Sequence, residues 1–87
     1  MMEKQLMVDR PEIAQAVAGS VNSHFDVIEK MLGVRIELVS GGFAVTGDGL
    51  DLENAVAVLE RLLELARENH PVNLQLVTYL TDTARDG

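Results

Sequence analysis

The sequence predicts a small α+β domain: a three-stranded sheet covered on one face by helices, in the order βααββα, with a short extra C-terminal helix. Three observations predict it. Residues 34–46 hold two apolar-rich runs separated by Ser40, Gly41 and Gly42, a hairpin signal. Leu52, Ala55, Val56, Leu59, Leu62, Leu63 and Ala66 recur at three- and four-residue spacings, as on one face of a helix. Residues 19–36 combine a turn, an amphipathic helix, a helix stop and the start of a strand.

Taken in order, Gln5 to Val8 is a short apolar-rich run that suits an edge strand. Asp9 can cap the helix that follows, and Pro11 falls near its first position, where a missing N–H is harmless. Ile13, Ala16 and Val17 form that helix's apolar stripe, and Gly19 ends it. Ser20 or Asn22 caps the second helix, whose apolar face is Phe25, Ile28, Met31 and Leu32. Gly33 then supplies the left-handed stop.

The strands fall at Val34–Val39 and Phe43–Thr46. Gly47, Asp48 and Gly49 break the second, and Asp48 or Asp51 caps the long helix. Arg61 with Glu64, and Glu64 with Arg67, can pair along it, each pair worth a few tenths of a kcal/mol. Asn69, His70 and Pro71 end it. Leu74, Val77 and Leu80 or Thr81 mark a short final helix from about Asn73. Asp86 and Gly87 form a frayed end.

The 87 residues suffice for one domain with one core, taken as 1–87. At 47% hydrophobic and 3% aromatic, that core is aliphatic. There is no cysteine, hence no disulfide, thiolate metal site or cysteine nucleophile, which suits a cytoplasmic protein. Net charge is −7, from 14 acidic and 7 basic residues, which argues against wrapping of duplex nucleic acid. The N-terminal MMEKQLMVDR has no apolar stretch of the kind a signal peptide needs, and no run approaches the roughly 18 apolar residues of a membrane span.

Catalytic patterns are missing. The only lysines, Lys4 and Lys30, stand outside any glycine-rich loop, so no P-loop is present. His24 and His70 have no ligand-spaced partner and read as surface or helix-end histidines. Glu60, Glu64 and Glu68 lie along one solvated ridge. Ser20 and Ser23 have no base at a recognisable spacing. No enzyme activity is therefore expected of this chain. The loop Gly19-Ser20-Val21-Asn22 remains: either a tight interhelical turn, or a place where backbone N–H groups meet phosphates.

That loop, followed by Phe25 and Ile28 at helical spacing, then Gly33 and Ile36, resembles the KH signature, with its GxxG loop, helix, glycine and strand. Val45-Thr46-Gly47 before an Ala- and Leu-rich helix also fits. The departure is Asn22, which stands where the second glycine belongs and adds bulk beside a bound backbone. More narrowly, over residues 12 to 85, the chain resembles the N-terminal KH-like domain of PhoH-like proteins. This rests on Gly19, Asn22, Val27-Ile28-Glu29, Leu32-Gly33-Val34, Ile36, Thr46-Gly47 and the helix Ala55 to Ala66. The family often has an arginine just before the hairpin glycine, where this chain has Val39 and Ser40.

The resemblance implies a cytosolic ATP-binding protein of RNA metabolism. In it, a P-loop ATPase domain carrying ATP and Mg follows this module, which itself holds no cofactor. The nucleic-acid contacts it implies are Gly19, Ser20, Val21 and Asn22, with Lys30 and Arg35 as the nearest cations in sequence. The competing expectation is a protein-association or homo-oligomerising module, which the acidic surface favours.

Overall fold

The computed structural model describes residues 1–86. Strand β1 (Met2–Met7) leads into helix α1 (Pro11–Ala18). A single 3-10 turn (Ser20–Asn22) joins it to α2 (Ser23–Leu32). Strands β2 (Arg35–Val39) and β3 (Gly42–Gly47) form the hairpin. Helices α3 (Gly49–Arg67) and α4 (Leu74–Asp86) complete the chain. The order is the expected βααββα with a C-terminal helix, and the sheet is antiparallel in the order β1-β3-β2. The expected frayed end differs: Asp86 is still helical, and Gly87 lies outside the described residues.

The long-range register fixes which side chains face the helices. Leu6 pairs with Phe43, and Ile36 with Val45; these four are buried on one side of the sheet. Their neighbours Gln5, Glu37 and Arg35 are exposed on the other side, as strand alternation requires. Helix α3 covers β1 and β3, α2 lies against β2, and α4 packs outside them on α2 and α3. Val77 and Thr81 are the fully buried residues of α4. The Thr81 hydroxyl donates to the Val77 carbonyl at 2.7 Å, so its polar atom is satisfied inside.

Several boundaries differ from the sequence expectation. β1 begins at Met2 rather than Gln5, although only Leu6 of its six residues is buried. The α1 stripe is Ile13, Ala14, Val17 and Ala18, and Ala16 is exposed. Asp48 takes the N-cap position of α3 without a side-chain hydrogen bond. Asn73 does cap α4: its Oδ1 accepts from the Leu76 N–H at 2.9 Å. Gly33, left-handed at φ 69, ends α2 as expected. Asn69, left-handed at φ 64, ends α3, and the His70 N–H reaches back to the Leu65 carbonyl.

Leu59 sits at the centre of this core with no exposed surface. Leu59→Ala removes a buried branched side chain and leaves a cavity, so a loss of about 2–5 kcal/mol is expected in chemical denaturation. A loss below about 0.5 kcal/mol would place the α3 core face elsewhere.

Candidate nucleic-acid interface

The α1–α2 junction is built by three residues with positive φ. Gly19 (φ 79, ψ 177) leaves α1 and donates its N–H to the Gln15 carbonyl. Val21 (φ 51, ψ 37) and Asn22 (φ 58, ψ 30) are both left-handed. Asn adopts this region more readily than most residues, so Asn22 takes the left-handed turn without a glycine. A β-branched residue does not, and Val21 is an outlier there. Such a conformation costs on the order of 1–3 kcal/mol. Val21 is also 97% exposed, so no packing offsets that cost.

The backbone of the loop is open. The Asn22 N–H closes a turn onto the Gly19 carbonyl at 3.2 Å. Among the described residues, the Ser20 and Val21 N–H groups have no acceptor. Neither Ser20 nor Asn22 caps α2 through its side chain, contrary to the sequence expectation. The α2 N-terminus thus points its positive dipole end at a loop whose amides are free.

Of the two alternatives for His24, the structure takes the helix-end one: it stands in the first turn of α2 and is buried, with only 7% exposed. Its Nδ1–H donates to the Val17 carbonyl at 3.0 Å, tying the end of α1 to the start of α2. The ring lies where a Cβ on residue 19 would be, at 2.7 Å from that position. Gly19 is therefore required twice, by its φ and by this close approach. His24 bonded in this way turns its ring inward, against the Val17 carbonyl.

The two cations assigned to the site lie elsewhere. Lys30 is in the last turn of α2, about 12 Å of helix axis from Asn22. Arg35 follows the helix, at the start of β2, and its Nε lies 3.8 Å from Glu37 on the outer face of the sheet. The fold thus gathers Gly19, Ser20, Val21 and Asn22 and separates Lys30 and Arg35 from them. The first turn of α2 contributes Asp26 instead.

One contact near this edge escaped sequence reading. Glu29 Oε2 accepts the outward-facing Ile36 N–H of β2 at 2.8 Å. This joins α2 to the sheet and shields one free edge donor. No apolar periodicity signals such a bond.

Among the described residues, no group of three or more His, Asp or Glu side chains could hold a metal ion. Lys4 lies in β1 and Lys30 at the C-terminal end of α2, so neither stands at a helix N-terminus where a triphosphate would need it. No helix among the described residues is long and apolar enough to cross a membrane.

Fold and loop together define a βααββα domain with an exposed, strained interhelical loop. No family model, no curated protein and no solved structure matches the chain.

Proposed function

We propose that this chain is a KH-like accessory module whose Gly19–Asn22 loop contacts the sugar–phosphate backbone of single-stranded RNA, weakly. The observation that carries the reading is the loop itself. Val21 holds a costly left-handed conformation while 97% exposed, and it presents free amides at the start of α2. An outlier with no packing role points to function at that place. Free N–H groups at a helix start suit phosphate oxygens.

The weakness follows from charge. The loop supplies no ion pair, Lys30 and Arg35 stand apart, and a net charge of −7 repels a polyanion within a Debye length of about 8 Å at physiological salt. Affinity no tighter than roughly 10⁻⁴ M is expected. Delivery of RNA to a following P-loop ATPase domain, with its ATP and Mg, and a cytoplasmic setting belong to the same reading; they rest on the sequence resemblance to PhoH-like proteins alone. A protein-association role is the second reading, and the acidic surface is the observation that favours it.

An NMR titration with a short single-stranded RNA at two salt concentrations tests the proposal. Shifts should centre on residues 19–26. The double variant Ser20→Lys, Val21→Lys should tighten binding, and the gain should fade as salt rises. Tight, salt-insensitive binding, or shifts that avoid the loop and its flanking helices, would overturn it.

A further inference from the structure

The sheet order leaves β1 with a single neighbour, β3. The hydrogen bonds decide which of its backbone groups stay free. On β2 the Ile36 N–H turns outward to Glu29, so Arg35, Glu37 and Val39 are the residues that bond to β3. Their partners Thr46, Ala44 and Gly42 direct their backbone groups to β2. Phe43, Val45 and Gly47 then serve β1, through Leu6, Lys4 and Met2. The Val8 N–H, bonded to the Gly41 carbonyl at 2.8 Å, continues that even-numbered series. Glu3, Gln5 and Met7 therefore point their N–H and C=O groups away from the sheet, at an open edge.

Helix α3 runs beside this edge. Two open grooves of about 650 and 490 Å³ lie between them, and they share Lys4 and Glu60, so they form one trough along β1. Leu6, Leu63, Leu52 and Val56 supply its apolar lining. Its charged lining sets Glu53, Glu60, Glu64 and Glu68 against Lys4 and Arg67, and although Glu64 also accepts from Arg61 and Glu68 lies 3.8 Å from His70, carboxylates remain in excess.

We propose that this trough binds an extended segment of a partner protein by strand addition to β1, and that the segment carries Lys or Arg at alternate positions facing α3. Free edge groups give the pairing, and side chains on one side of the added strand read the helix. The spacings agree. Glu60, Glu64 and Glu68 repeat every four residues, about 6 Å along a helix, and alternate residues of a strand repeat every 6.8 Å or so. Lys and Arg stems lie over the Leu63 and Val56 floor while their heads reach the carboxylates. A second copy of this chain fits less well, because it would bring the same glutamate ridge and another charge of −7 against the first. This surface is separate from the Gly19–Asn22 loop, so the two proposals stand or fall independently.

The test uses the full chain and a blocked peptide of alternating threonine and lysine, with an alternating threonine and glutamate peptide as control. NMR titration with the lysine peptide should shift Glu3, Gln5, Met7 and the adjoining face of α3, and should slow hydrogen exchange at those three edge amides. The double variant Glu60→Lys, Glu64→Lys should weaken binding by about tenfold or more. Gln5→Pro removes only an outward N–H, so the ladder to β3 survives, and the protection should be lost. Shifts confined to other surfaces, no shift at millimolar peptide, or equal binding of both peptides would overturn the proposal. So would a β1-mediated dimer in sedimentation that the peptide does not displace. Should Gln5→Pro fail to fold, the charge variant decides alone: unchanged affinity for the lysine peptide overturns the proposal.

Discussion

Gly42→Ala is expected to destabilise the domain by more than about 4 kcal/mol, a loss few single substitutions reach. Gly42 opens β3, the central strand, between Val39 of β2 and Met7 of β1. A Cβ there would sit 1.8 Å from the Leu6 carbonyl oxygen, 2.9 Å from its carbon and 3.1 Å from the Met7 Cα. All three obstacles are backbone, so no rotamer change relieves them. Moving the oxygen out to ordinary contact at 3.4 Å takes a shift of about 1.6 Å. That breaks the β1–β3 pairing which holds the N-terminal strand in place.

Stability of a domain this size is roughly 4–13 kcal/mol, so much of it disappears. Gly33→Ala is the control. Gly33 is left-handed, at φ 69, and nothing lies within 4 Å of its added Cβ. Only the backbone cost of about 1–2 kcal/mol is expected there. Urea midpoints of the two variants should therefore differ widely. Equal losses would mean that β1 does not pass beside Gly42.

The contrast between these glycines shows what the sequence could and could not disclose. Gly33 was legible because the apolar spacing of Phe25, Ile28 and Leu32 ends one residue before it. Gly42 was legible as a hairpin residue, but its need for a missing side chain comes from β1, some 35 residues earlier in the chain. Pattern reading sees neighbours along the chain and not across it. The same limit explains β1 itself. Met2, Glu3 and Lys4, which precede the expected start at Gln5, carry no strand periodicity, because this edge strand buries only Leu6. Ala16 was misplaced because a short helix admits two registers of small apolar residues, and the one chosen buries Ala14 and Ala18.

The loop was located correctly and its content was not. Asn22 suggested a cap, since Asn at a helix start commonly provides one. Its left-handed backbone carries the turn instead, and Val21 joins it there. No propensity places valine at φ 51. Sequence allows His24 to be a surface or a helix-end residue, and only the second holds, with the ring buried. Its Nδ1–H finds the Val17 carbonyl, and that one bond makes burial affordable. Lys30 and Arg35 are the cations nearest the loop in sequence, yet Lys30 lies in the last turn of α2 and Arg35 beyond its end, both at the far end of the helix from the loop.

Composition predicted an aliphatic core, and most of it is, but the chain's two phenylalanines meet at its centre. Phe25 of α2 and Phe43 of β3 are at most 1% exposed, with ring centroids 5.0 Å apart and planes at 82°. This edge-to-face pair joins the helical layer to the central strand. Phe25→Ala and Phe43→Ala should each lose about 3–5 kcal/mol, because each opens a large cavity that α2 and the sheet cannot close. Against a total of roughly 4–13 kcal/mol, the double alanine variant is largely unfolded. The specific contact is therefore better measured with leucine, which keeps apolar bulk and removes the ring. In a cycle of Phe25→Leu, Phe43→Leu and the double variant, the two losses should fail to add, with a coupling of about 0.5–1.5 kcal/mol. Chemical denaturation provides all four values. Coupling below about 0.3 kcal/mol would mean that the rings act only as bulk and that α2 does not seat Phe25 edge-on against the central strand.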